Sequence, residues 1–129
     1  MSRDIFVQDI PDGISEVRDI PDGWMPEPLP YSHAEIVAAI GRVVPRADFS
    51  DPEWGHIEAE DYSIEVSIAR EEPMRSFAFH VRAAGWGADH VVADILDELG
   101  LQAFDPDNDT GLFQRPVLSL EDPRTDPTV

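Results

Sequence analysis

Cysteine is absent from the 129 residues, which excludes a disulfide scaffold, a thiol nucleophile, a thiolate zinc site and a Cys-ligated iron-sulfur cluster. Lysine is absent as well, so all nine basic residues are arginine, which reads first as the mark of a GC-rich coding sequence, and second of a salt-adapted organism, rather than of a function. Positive charge is scarce: 27 Asp and Glu against those nine give a formal charge of −18. Such a chain repels nucleic acid and anionic membranes, which bind through excess Lys and Arg. Basic proteins are its natural electrostatic match. No apolar run approaches the roughly 18 to 20 residues of a membrane span, and Asp4 interrupts the N-terminus too early for the apolar region of a signal peptide. A cytoplasmic protein is expected. The motifs H-E-x-x-H, G-x-S-x-G, G-x-G-x-x-G and G-x-x-x-x-G-K-[ST] are all missing, so no catalytic residue, cofactor or metal ligand is assigned from a motif.

What is present is ordinary globular patterning. Residues Arg3 to Ile10 hold Ile5, Phe6 and Val7 in a short strand that ends at Pro11-Asp12-Gly13, and the same Pro-Asp-Gly word returns at Pro21-Asp22-Gly23. Two similar turns follow, not a repeat architecture, which needs about three units. The four prolines between Pro21 and Tyr31 exclude a helix there. Ser32, with Glu35 three residues on, announces a helix that carries Ile36, Ile40, Val43 and Val44 on one face and stops at Pro45. After a loop from Arg46 to Glu53, period-two alternation marks three half-buried antiparallel strands, around Ile57, from Tyr62 to Ile68 and from Phe77 to Val81. Val91, Val92, Ile95, Leu96 and Leu99 form a second helix closed by Gly100. Leu101 to Phe104 reads as a last short strand. The predicted order is β-α-β-β-β-α-β, an α+β open-faced sandwich with two helices on one face of a mostly antiparallel sheet and a solvated opposite face. Residues 1–113 make the single domain, and 114–129, with three prolines, a loosely held tail.

Keeping apolar side chains on one face fixes the parity of the strands. A two-residue loop at Glu60-Asp61 pairs Ile57 with Ile64, and a four-residue loop at 70–73 pairs Ile64 with Phe79. On the outer face this sets His56 across from Glu65, Glu65 across from Ala78, and Glu58 across from Ser63 and then His80, with Arg82 beyond. The patch admits three readings: a solvated face with cross-strand charge pairs, a cysteine-free metal site of His56, Glu58, Glu65 and His80, or a Ser63, His80, Glu58 nucleophile arrangement.

Asp105-Pro106-Asp107-Asn108-Asp109 begins like a calcium loop, then departs from the pattern at Thr110 and Pro116; such clusters also form turns. Asp97 and Glu98 stand in the last turn of the second helix, where the backbone dipole favours cations, with no basic neighbour on the helix. Trp24, Trp54 and Trp86 are candidate apolar anchors. The segments Arg3-Asp4-Ile5-Phe6-Val7-Gln8 and Phe104-Asp105-Pro106 to Gly111-Leu112-Phe113 resemble parts of small uncharacterised bacterial proteins grouped with toxin-immunity families. That resemblance implies a non-enzymatic chain that binds a toxin domain. The functional expectation is a protein-binding module for a basic partner, with His56, Glu58, Glu65, His80, Arg82, Asp97 and Glu98 as candidate binding residues. The alternative is a metal-binding protein or hydrolase working from the polar sheet face.

Overall fold

The Ser32 hydroxyl accepts from the Glu35 amide at 3.1 Å while the Glu35 carboxylate accepts from the Ser32 amide at 2.8 Å. This capping box satisfies two amides at the helix start that have no intrahelical acceptor. It opens helix α1, His33–Val43, which buries Ile36, Ala39 and Ile40. The second helix, α2, spans Gly87–Leu99. It ends at Gly100, φ +65°, where the Gly100 amide donates to the Asp97 carbonyl and the Leu101 amide to the Leu96 carbonyl. Those two bonds are a Schellman turn, which needs the left-handed residue that glycine supplies without strain. The computed structural model describes residues 2–83 and 87–115. The expected anchor Trp86 and the tail from residue 116 onward lie outside them.

The strands are β1 (Ser2–Gln8), β2 (Asp48–Asp51), β3 (Trp54–Glu58), β4 (Tyr62–Ser67), β5 (Ser76–Ala83) and β6 (Ala103–Phe104), in the spatial order β2-β3-β4-β5-β1-β6. Every pairing is antiparallel. One face of the sheet carries Ile5, Val7, Ile57, Ile64, Val66, Phe77, Phe79 and Val81, none more than 4 % exposed, and packs with α1 and α2 into one core. The other face has no helix over it among the described residues. The molecule is the expected α+β open-faced sandwich. A single turn of 3-10 helix, Val17–Asp19, lies between β1 and α1, and the two Pro-Asp-Gly turns share positive φ values of 79° at Gly13 and 81° at Gly23.

Three details differ from the sequence reading. The loop from Arg46 to Glu53 contains β2, an edge strand of only four residues. Its Phe49 ring lies against buried Gly55, occupying space on the inner face that a larger residue in β3 would fill. Strand β1 ends at Gln8 and β6 begins at Ala103, each two residues inside the predicted bounds. The register of β4 on β5 is shifted by two residues: Ile64 pairs with Val81 and Val66 with Phe79. The connection runs from Ile68 to Arg75, not over four residues, because both of its ends are held elsewhere. Ile68 is fully buried and donates to the Glu53 carbonyl, while Met74, 2 % exposed, accepts from the Leu29 amide. A shift of two preserves parity, so every side chain stays on its predicted face.

Candidate functional site

The register aligns the uncovered face in rows that run across the strands. One row reads Asp48, His56, Glu65, His80, Asp4 from β2 to β1, a carboxylate alternating with an imidazole at each step. The row beside it reads Asp51, Trp54, Ser67, Ala78, Phe6, Phe104 and carries charge only at its β2 end. On the other side Glu58 faces Ser63, which faces Arg82.

Glu65 is the centre of the polar part. One of its oxygens accepts from the Trp54 indole at 3.0 Å and lies 3.8 Å from His56 Nδ1, and the other lies 3.5 Å from Arg82. His80 stacks on the Trp54 ring, centroids 5.5 Å apart, and its Nδ1 is 2.8 Å from Asp4 Oδ1. Asp48 accepts from both the amide and the hydroxyl of Ser50, at 2.8 and 2.6 Å. Those bonds, the hydroxyl's first, hold its carboxyl below the usual carboxylate range, with a smaller push from His56. The charges of the row are solvent-screened and add little to stability, so the row is chiefly an arrangement of charge.

Five of the seven expected residues, His56, Glu58, Glu65, His80 and Arg82, thus share the uncovered face. Asp97 and Glu98 do not join them: both lie on α2, behind the sheet. They are not unopposed either, because Arg115 pairs with Asp94 and Asp97, and Arg42 with Glu98 at 2.9 Å. The shifted register sets Glu65, not Ser63, opposite His80, and Arg82 opposite Ser63, which dissolves the cross-strand alignment behind the nucleophile reading. No group of three or more His, Asp or Glu side chains among the described residues is placed to hold a metal ion. Asp4, Asp48 and Phe6 belong to the same face but were outside the sequence-derived patch. Strand β1 was legible but its neighbours in the sheet were not, and β2 read as loop.

The acidic turn from Asp105 to Gly111 is built as a turn. The Asp105 amide donates to the Gly111 carbonyl, Asp105 Oδ1 accepts from the Asp107 amide, and Asn108 Oδ1 accepts from the Thr110 amide. Asp105 is 4 % exposed and faces inward to Arg3, 3.2 Å away, which also meets Asp89 at 3.1 Å. Burial raises the Asp105 pKa despite the opposing pull of Arg3. The arginine therefore ties together the start of β1, the first turn of α2 and the acidic turn.

No helix among the described residues is long and apolar enough to cross a membrane. The fold and its face define an open-faced α+β domain with an acidic, aromatic-edged sheet surface. Comparison with protein-family models, curated proteins and solved structures finds no match.

Proposed function

We propose that this chain is a non-enzymatic binding module whose uncovered sheet face receives a basic protein partner. The observation that carries the reading is that face: Asp4, Asp48, Glu58 and Glu65 stand on one side of a sheet whose other side is closed by helices, in a chain of formal charge −18. Within the face only Arg82 is a permanent cation among the residues of the two charged rows. Summed over such a surface, negative potential accelerates encounter with a positive partner and disfavours nucleic acid and anionic lipid. Trp54, 37 % exposed at the border of the charged and apolar rows, supplies an aromatic of the kind that anchors interfaces. An immunity-type inhibitor of a basic toxin domain is the instance of this class that the sequence resemblance favours.

The test is affinity capture from the native host's lysate at about 20 mM salt, where charge steering is strongest, with wild type beside an Asp4→Lys, Glu58→Lys variant. A basic protein retained by wild type, released at 0.5 M salt (Debye length about 4 Å) and missed by the variant is the expected result. Retention of nothing, or equal retention by both, refutes the reading.

A further inference from the structure

The uncharged part of the uncovered face has a shape of its own. Ser67 on β4 and Ala78 on β5 are adjacent in the register and small, while Trp54 on β3 flanks them on one side and Phe6 on β1 and Phe104 on β6 on the other. Neighbouring strands are about 4.8 Å apart, so the backbones of Trp54 and Phe6 are roughly three strand spacings apart, and the Trp54 ring leans over β4 to stack on His80, narrowing the low floor from that side. On the Phe6 side this floor opens into a cleft of about 580 Å³ that also takes in Gln8 and Glu71. Beyond Ser76 a second cleft continues past the end of the strands, lined by Trp24, Met25, Glu27 and one cation, Arg75. Phe6 is 40 % exposed and Met25 81 % exposed. Exposed large apolar side chains scattered singly are ordinary, but these follow one trough whose charged rim is carboxylate except for Arg75 at its far end, the pattern of an interaction site.

The charges say what lies in it. A second copy of this chain would bring another −18 against the same acidic rim, and self-repulsion of that size keeps chains apart. We infer that the trough receives an extended basic segment of the partner, with an apolar side chain seated between Phe6, Ala78 and Phe104 and flanking Arg or Lys residues against Asp4, Asp51 and Glu71. This inference rests on the binding reading above and adds where the specificity lies. The acidic rows bring a basic partner in, and the aromatic trough selects a sequence in which cationic and apolar residues alternate. Side chains of an extended segment point alternately to opposite sides, so such a sequence presents its apolar residues as one row, the complement of the trough.

Two synthetic nine-residue peptides of equal charge decide it, one alternating Arg with Leu and one alternating Arg with Ser, titrated into the isotopically labelled full chain and followed by amide NMR. At about 0.15 M salt the Leu peptide is expected to bind about tenfold tighter or more, as burial of an apolar side chain implies. Its shifts should centre on Phe6, Ser67, Ala78 and Phe104. Ala78→Arg and, on the neighbouring strand, Ser67→Arg should each abolish the preference and leave Arg/Ser binding in place. Both positions face away from the core, and retained spectral dispersion verifies the fold. Equal affinity for the two peptides, with shifts spread over the acidic surface, overturns the inference while leaving the binding reading intact; binding of neither peptide overturns both. Concentration-dependent shifts at Phe6 and Phe104 without peptide would make the occupant a second copy. Shifts within residues 116–129 in peptide-free Ala78→Arg would make it the chain's own tail, and either result overturns the inference.

Discussion

Gly55 lies buried against the Phe49 ring, and a Cβ built on it would overlap that ring. Gly55→Ala therefore has to displace Phe49, and overpacking of this kind costs about 1 to 3 kcal/mol. Urea unfolding should show that loss, and Phe49→Leu in the same chain should recover part of it, since the smaller side chain vacates the clash. Arg3 offers a second test of a single residue. Removing it by Arg3→Met leaves Asp89, 8 % exposed, and Asp105, 4 % exposed, without their shared cation. Stripping a buried pair of one partner costs about 3 to 5 kcal/mol, and the partial exposure of Arg3 places the expected loss at the lower end. Asp105→Asn behaves differently, because the amide keeps an oxygen for the Asp107 N–H while shedding the buried charge. Burial raises the Asp105 pKa above 3.8, so the native state binds more protons than the unfolded state just above that value and loses stability as pH rises through the window. Wild type should therefore lose stability relative to Asp105→Asn as pH rises above 3.8, which paired thermal melts across the acid range would show. A constant difference would mean that Asp105 titrates alike in both states.

At the scale of elements, the helices were legible because their determinants are local. Ser32, Glu35 and Gly100 act on amides and carbonyls within a turn of themselves, and Ser32→Ala should cost about 1 kcal/mol in the same urea experiment. Strand parity was legible for a related reason: alternation is written into each strand and decides which face each side chain takes. Register was not, since a shift of two residues leaves the alternation unchanged. Tyr62, Ile64, Val66 and Ile68 read as one continuous strand, yet Ile68 is held on the β3 side alone, by Glu53, and Met74 is held by Leu29, 45 positions away in sequence. Contacts of that range decided the loop, and with it whether His80 meets Ser63 or Glu65. Strand β2 was missed because Asp-Phe-Ser-Asp has one apolar residue and too little length to alternate. Its acidic ends serve another purpose, for charged side chains on an exposed edge discourage pairing with a second chain. The opposite edge is only two residues long and is bridged by Leu112. The pairing of Asp97 with Arg115 and of Glu98 with Arg42 escaped a reading confined to the helix that carries the two acids.

The whole molecule responds to salt in two opposite directions, and the signs separate its two electrostatic roles. Folding gathers a formal charge of −18 into a small volume, so the native state carries more self-repulsion than the expanded chain. Screening relieves this: the Debye length falls from roughly 20 Å near 20 mM to about 4 Å near 0.5 M. The exposed ion pairs that salt also weakens are worth little, as with Arg18 and Glu16 or Arg82 and Glu65. Excess repulsion outweighs them, and the melting temperature should rise by a few degrees over that range of sodium chloride for a domain of this size. Binding of a basic segment should move the other way, because the same screening removes the attraction between the acidic face and its partner. The apolar share of the complex survives, so the Arg/Leu peptide should lose less affinity with salt than the Arg/Ser peptide. Melting curves and peptide titrations across one salt series measure both slopes. Slopes of the same sign would mean that the negative charge acts only on stability, and an equal salt slope for the two peptides would mean that the trough contributes no apolar contact.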